Sequence, residues 1–368
     1  MSELKQTPLH DIHAELGARL VPCAGSSMPV QYPTGIRHEH EAVRTAAGLF
    51  DVSHMGEFLV TGPQATEYVA WITTNDPHGL EIGDAQYSVM CHPDGGIIDD
   101  LLVYRLGEDR FRLVVNAANH QKDWTHCTDA LERFDARLED ESEGVALLAL
   151  QGPRAQEILA PLCSESIDPI GFYEFRQGHV AGAACVISRT GYTGEDGFEL
   201  YLPNTRAVSV WKALLEAGAP AGLIPAGLGA RDSLRLEMGY ALYGNDLDDE
   251  TTPFEAGLSW LVKLGKDDFI GRDALARQKT EGLARRLRGF RLLERGFPRA
   301  GYEVSFEGEV VGEVRSGTLS PTLGIGIGTV YLPPAVGPGS RIAVHIRDTA
   351  IPAEVVTPPF YTEGSLRK

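Results

Sequence analysis

The chain is poor in lysine: of 368 residues only Lys5, Lys122, Lys212, Lys263, Lys266, Lys279 and Lys368 are lysines, against 26 arginines. It is short of positive charge altogether, with 33 basic to 51 acidic side chains and a net charge of −18. No basic tract offsets that field, which repels phosphate backbones and anionic headgroups and so excludes nucleic-acid and membrane-surface roles. An acidic, lysine-poor surface suits a salty cytoplasm, where screening removes self-repulsion; high-GC coding gives the same skew. The five cysteines (Cys23, Cys91, Cys127, Cys163 and Cys185) form no Cys-x-x-Cys pair. That scatter argues against a disulfide framework or a thiolate zinc site. No run of ~18 apolar residues is present to span a bilayer, and the start of the chain leads into no apolar secretory segment. A soluble protein of the reducing cytoplasm is expected. The 11 histidines form no His-Glu-x-x-His, and neither Gly-x-Ser-x-Gly nor a Walker A loop occurs. No metal is expected. His10 and His13 lie on a polar N-terminal stretch, and His38 and His40 read as surface residues.

What is present is globular: 43% hydrophobic and 23% charged residues exclude wholesale disorder. The length allows two or three domains. Short apolar or alternating runs at 58–60, 101–105, 111–115, 145–150, 184–188 and 198–202 predict strands. Helical periodicity appears at 154–162, 207–217 and 231–238. The mixture is α+β rather than a strict βαβ repeat. Residues 279–288 are basic and helix-like, and a domain boundary falls around 280–288. Beyond Gly289, short runs at 306–308, 312–314, 324–331 and 342–346 with glycine turns predict a small barrel or sandwich.

Three constellations carry chemistry. Gly95-Gly96-Ile97-Ile98-Asp99-Asp100 makes a tight turn into a strand, whose alternation sends the two acids to opposite faces, one of them inward. A carboxylate so held can polarise an amine or move a proton; the plain alternative is an Asx-type turn with two solvated acids. The hairpin 189–199 has three glycines that let backbone approach a ligand, Tyr192 to stack on a flat ring, and Glu199 to accept two hydrogen bonds from a guanidine-like edge. Its alternative is an acidic hairpin tip. In 226–237, Gly227-x-Gly229 suggests a dinucleotide loop, but Asp232 stands at the third glycine position and no clear strand precedes it. Arg231, at a helix start, is instead placed to clamp a carboxylate or donate to a ring, or else to pair with Asp232 or Glu237. With neither nucleophile nor metal, the reactive atoms belong to a bound cofactor.

Taken together, these blocks resemble the aminomethyltransferase (T-protein) family of the glycine cleavage system. The resemblance also covers Leu-Phe-Asp-Val-Ser-His-Met-Gly at 49–56, Asn-Ala-Ala-Asn at 116–119, Leu-Ala-Leu-Gln-Gly-Pro at 148–153, Leu-Tyr-Gly-Asn-Asp at 242–246, Gly-Leu-Ser-Trp at 257–260 and Ser-Gly-Thr-Leu-Ser-Pro-Thr-Leu at 316–323. It implies a three-domain cloverleaf around a central folate channel. Two intertwined α+β subdomains would fill residues 1–280, the second roughly 53–140, with a β-barrel or jelly roll over 285–368. It implies transfer of the one-carbon unit of an S-aminomethyldihydrolipoyl arm on H-protein to tetrahydrofolate, with release of ammonia. Asp100 matches the family's essential acid; Glu199 and Arg231 match residues that hold the folate. Asn116, Met55, Tyr87 and Tyr192 match positions lining the same cavity, and Tyr361 is nearest to a folate-contacting tyrosine. The run Arg285, Arg286 and Arg288 would face the folate glutamate tail, acidic H-protein, or solvent. The alternative on this scaffold is a tetrahydrofolate-dependent demethylase. A flavin-fused oxidase would need a flavin-binding half, and the iron–sulfur-assembly relatives a Lys-Gly-Cys-Tyr-x-Gly-Gln run; neither is present.

Overall fold

Side-chain alternation along a few strands sets the layers, as a computed structural model describing residues 4–367 makes explicit. In the strand Val145–Gln151, Leu148 and Leu150 join one core and Leu147 and Ala149 another. This strand lies in a six-stranded sheet of order Phe175–Val180, Ala183–Ser188, Gly197–Pro203, Val145–Gln151, Ala47–Asp51, Leu223–Pro225. Its outer face packs through Leu148, Phe198 and Leu200 against Ile158 of the helix Ala155–Leu159 and Trp211 of the helix Ala207–Gly218.

A second, five-stranded sheet has the order Ala85–Cys91, Ile97–Gly107, Arg110–Val115, Gly56–Thr61, Arg137–Asp140. Phe58, Leu101 and Val103 point outward to Tyr68 of the helix Ala65–Ile72 and Cys127 of the helix His120–Leu131. The inner faces of the two sheets share one core, in which Phe50, Leu147 and Tyr201 meet Tyr104 and Val114. The α+β class thus takes the form of two sheets face to face with helices outside.

The C-terminal strands Arg286–Leu292, Gly326–Leu332, Glu309–Leu319, Glu303–Phe306, Arg341–Ile346 and Thr349–Val356 close into a barrel filled by Phe290, Val304, Val330, Val344 and Val355. A buried polar cluster ties this barrel to the helix Leu228–Met238. Arg235 donates to Asp246 at 2.7 Å and to Ser316 Oγ at 2.8 Å, while Glu237 accepts from Arg44 at 2.8 Å and Thr322 at 3.0 Å.

Several local expectations are corrected. Residues 279–288 are not one helix: the helix Arg272–Glu281 ends at Gly282, which adopts φ +93°, and a barrel strand starts at Arg286. The strand expected at 306–308 ends at Phe306, because Glu307 (φ +52°) and Gly308 (φ +91°) form the left-handed pair of a hairpin turn. Helix 154–162 is an α-turn over Ala155–Leu159 followed by a 3-10 turn at Ala160–Leu162, where Pro161 lacks the amide to continue. His40 is fully buried, with Nδ1 on Ser233 (2.7 Å) and Nε2 on Thr322 (2.8 Å), and His13 is fully buried against Asp51 and Tyr32. Each imidazole satisfies both ring nitrogens inside the protein, which local polarity does not reveal.

Candidate active site

The same alternation that builds the inner core delivers charge to its edge. Along Ile97–Gly107, Asp99 shares the outward parity of Leu101 and Val103, and Asp100 the inward parity of Leu102 and Tyr104. Asp99 is completely buried, so two solvated acids in an Asx turn do not describe this segment. Gly95 turns the chain in at φ +94°, and a Cβ on Gly96 would overlap the carbonyl oxygen of Asp249. Only glycine lets this strand pass so close to another backbone.

Asp100 is held from two sides. Tyr87 OH donates to Oδ2 at 2.8 Å, and Asn116 Nδ2 donates to Oδ1 at 2.9 Å and to the Asp100 carbonyl at 3.0 Å. The same Asn116 amide lies 2.9 Å from Asp99 Oδ1. Burial first, and then the neighbouring Asp99 charge, push the Asp100 carboxyl up to about 7, against the lowering pull of these two donors. Asp100 therefore titrates in the range where a carboxylate can accept a proton at neutral pH.

From the facing sheet, Glu199 shares the inward parity of Tyr201. It is buried and accepts from Thr190 Oγ1 at 2.5 Å. Thr190 belongs to a hydroxyl cluster with Ser188 and Tyr104, and Tyr104 OH reaches Tyr201 OH at 3.0 Å. Burial raises the Glu199 carboxyl; Thr190 and the nearby Arg231 charge lower it. An acidic hairpin tip is thus the wrong description of Glu199. Among the described residues Arg231 makes no ion pair: Asp232 pairs with Arg235, and Glu237 with Arg44 and His40. Its guanidinium instead lies 4.7 Å from the centre of the Tyr192 ring, which stacks on Tyr240 at 5.7 Å. Burial pushes the Tyr192 phenol up; Asp100 reinforces the shift, and Arg235 and Arg231 oppose it. Tyr192 thus stands within electrostatic reach of both Asp100 and Arg231, bringing the two sides of the site together.

The hairpin glycines serve a different purpose from the one expected. A Cβ on Gly191 would strike the Gln151 side chain and one on Gly194 the Met238 sulfur, so their bareness admits protein rather than ligand. At Gly227 and Gly229 a Cβ would meet Val30 and Ile36, which seats the helix Leu228–Met238 on the strand Ser26–Gln31. The short strand Leu223–Pro225 does precede this loop, correcting the sequence reading, but close packing explains the glycines without a phosphate.

Met55 is half-buried against the inner core. Tyr361 stands apart from this group: the Arg44 guanidinium lies 4.3 Å over its ring, and its amide donates to the Glu237 carbonyl at 3.0 Å. Arg285 is engaged by Glu255 at 3.4 Å and by the Glu250 carbonyl at 3.0 Å. Two hollows of about 290 and 500 Å³, beside Tyr331 and beside His179, contain none of Asp100, Glu199 or Arg231. Convergent polar groups rather than hollow size identify the site.

Sequence reasoning missed two residues. Tyr173 adopts φ +64°, a conformation a tyrosine rarely holds, and lies within electrostatic reach of Tyr104, Tyr240, Glu199 and Asp100. No local pattern announces it. Trp260, which lies in the 257–260 block but receives no role from it, is 58% exposed with its ring 6.1 Å from that of Tyr87.

Comparison with known proteins agrees with this fold. Residues 9–266 match the GCVT N-terminal domain, and residues 285–362 match the glycine cleavage T-protein C-terminal barrel domain. An aminomethyltransferase of Halothermothrix orenii is 54% identical over 359 residues, covering 97% of this chain and 100% of that protein. One of Symbiobacterium thermophilum is 51% identical, covering 97% of each chain. The crystal structure of glycine cleavage system aminomethyltransferase T from Bartonella henselae superposes with a TM-score of 0.92 at 35% identity, covering 98% of this chain and 99% of that one. Near-complete coverage at such identity, over both the paired sheets and the barrel, means that this chain belongs to the aminomethyltransferase family of glycine cleavage T-proteins.

Proposed function

We propose that this enzyme takes the aminomethyl group from an S-aminomethyldihydrolipoyl arm of H-protein and passes its carbon to tetrahydrofolate. In the balanced step, the carbon–sulfur and carbon–nitrogen bonds of the arm break and two bonds form to the folate amines. The two amine protons pass to the departing ammonia and the dihydrolipoyl thiolate. The folate supplies the attacking nitrogens, so the protein's work is orientation and proton handling.

Asp100 accepts a hydrogen bond from a folate nitrogen and draws off its proton as the nitrogen attacks. Tyr87 and Asn116 aim its two oxygens. Glu199 accepts from the pterin edge; among the described residues its one side-chain hydrogen bond is from Thr190, which leaves lone pairs for a ligand. Arg231 and Tyr192 form a planar wall with Tyr240, and Met55 supplies apolar contact. Tyr361 acts through Arg44, which fastens the Tyr192 hairpin by donating to the Thr193 carbonyl at 2.6 Å and Glu195 at 2.8 Å. The chain divides into folate-binding subdomains within 1–280 and a barrel domain over 285–368, and it works in the cytoplasm without a metal. The observation that carries this reading is the convergence of Asp100, held by Tyr87 and Asn116, with Glu199 from the facing sheet and Arg231 from the helix Leu228–Met238 beside the Tyr192 ring.

The test is ammonia release from aminomethylated H-protein with and without tetrahydrofolate. A large folate-dependent increase, with 5,10-methylenetetrahydrofolate as product, is expected. Equal rates from a protein that still binds folate would overturn the reading and favour a folate-dependent demethylase.

A further inference from the structure

Behind Asp100 lies a second layer of acid. Asp99 is fully buried and accepts three N–H bonds: Asn116 N at 2.9 Å, Asn116 Nδ2 at 2.9 Å and Asn119 Nδ2 at 2.5 Å. Asp123, on the helix His120–Leu131, is also fully buried, and among the described residues neither of its oxygens receives a hydrogen bond. Two buried carboxylates cannot both stay charged side by side without a cation. The ammonium of Lys122, within electrostatic reach of Asp123, is spent on Tyr243 OH at 2.6 Å and Asp249 at 3.0 Å. An oxygen pair with no donor, next to an anion rich in donors, is the arrangement of a neutral acid giving its own proton. Burial, and then the Asp99 charge, push Asp123 up to about 11, in line with that geometry.

We propose that Asp99 and Asp123 are positioning residues for Asp100: Asp123 holds a proton toward Asp99, and the single negative charge so kept on Asp99 acts on Asp100 through the shared Asn116 amide. The inference rests on the proposed role of Asp100. Other groups face this trio from every side. Tyr87 comes from the neighbouring strand, Tyr173 and Tyr192 from the opposite side of the site, Cys127 and Lys122 from the helix, and Tyr243 from the segment beyond it. Among the described residues none of these forms an ion pair with Asp99, and amide donors balance its charge.

The experiment is the pH dependence of kcat in wild type, Asp99→Asn and Asp123→Asn, each with aminomethylated H-protein and saturating tetrahydrofolate. Asp99→Asn removes a like charge beside Asp100, so the acid-limb midpoint should fall by about one pH unit or more, with KM for folate little changed. Asp123→Asn keeps an N–H where the acid O–H stood, so its midpoint should stay at the wild-type value. Its infrared spectrum should lose one protonated-carboxyl band. A midpoint that falls in Asp123→Asn as far as in Asp99→Asn would mean that Asp123 is an anion and would overturn the proposal, as would an unmoved midpoint in Asp99→Asn. If Asp99→Asn does not fold, the Asp123→Asn midpoint and spectrum still decide. Failure of the underlying reading looks different: Asp100→Asn itself would then keep normal turnover.

Discussion

Replacing Asp100 with asparagine should separate activity from stability in a pH-dependent way. The carboxyl titrates near 3.8 in an unfolded chain and at about 7 in the folded protein. Between those values the native state holds a proton that the unfolded state has released, so wild-type stability falls as pH rises from about 4 to about 7. Three units at about 1.4 kcal/mol each give about 4 kcal/mol of native-state cost above pH 7. Asparagine carries no charge and escapes that cost. It can still accept from Tyr87, but its NH2 then faces the Asn116 amide, which costs about 1 kcal/mol of hydrogen bonding. The variant should therefore be about 3 kcal/mol more stable than wild type at pH 8, a rise of several degrees in the first melting transition. At pH 4 it should have no advantage. Turnover should meanwhile drop by about 10²–10⁴. Thermal melts at pH 4, 6 and 8, paired with the ammonia-release assay, test all of this. A variant less stable than wild type at pH 8, or an advantage equal at all three values, would refute the electrostatic reasoning. Retained turnover would remove Asp100 from the mechanism.

Glu199→Gln and Arg231→Ala should each weaken tetrahydrofolate binding about tenfold or more, measured by calorimetry, because each removes a charged partner of the ligand; an unchanged Kd would show the site is misassigned. Tyr87→Phe deletes a donor to the Asp100 anion, so the acid limb of kcat should move to higher pH; movement the other way would contradict the assigned bond. Glu237→Ala removes the carboxylate shared by Arg44, His40, Ser320 and Thr322 in the buried joint to the barrel while leaving Arg44 paired with Glu195, and should cost about 2–3 kcal/mol at pH 7, read by urea melts. Burial opposes ionisation of Glu237, but the charges and hydrogen bonds of His40, Arg44 and Ser320 win and hold it down to about 2. Its stabilisation is therefore present above about pH 4.5 and fades as pH falls toward 2. Gly96→Ala should destabilise the Asp99–Asp100 strand through collision with the Asp249 carbonyl; a melting point equal to wild type would show that the two backbones can part without cost.

Period-2 alternation was legible in the chain, and it alone sends Asp99 and Asp100 to opposite faces and Glu199 to the face of Tyr201. The strands at 145–150 and 198–202 could be read because a strand buried on both faces is an apolar run whatever lies beside it. The ordered motif blocks likewise carried the family without coordinates. Packing between distant segments could not be read. His13 and His40 look polar and local, yet partners 38 and 193 residues away bury them. The hairpin glycines invite a ligand until Gln151 and Met238 are seen in that space. Arg231 has acids available nearby in sequence, but Arg235 and Arg44 claim them and leave its guanidinium on Tyr192. No motif in the sequence singles out Asp123, and only the fold presses it against Asp99. Which side chains of a strand share a face is a property of neighbouring residues, so sequence determines it. Which charges meet, and which carboxyl keeps its proton, depends on distances closed by tertiary contacts, and only the folded structure decides them.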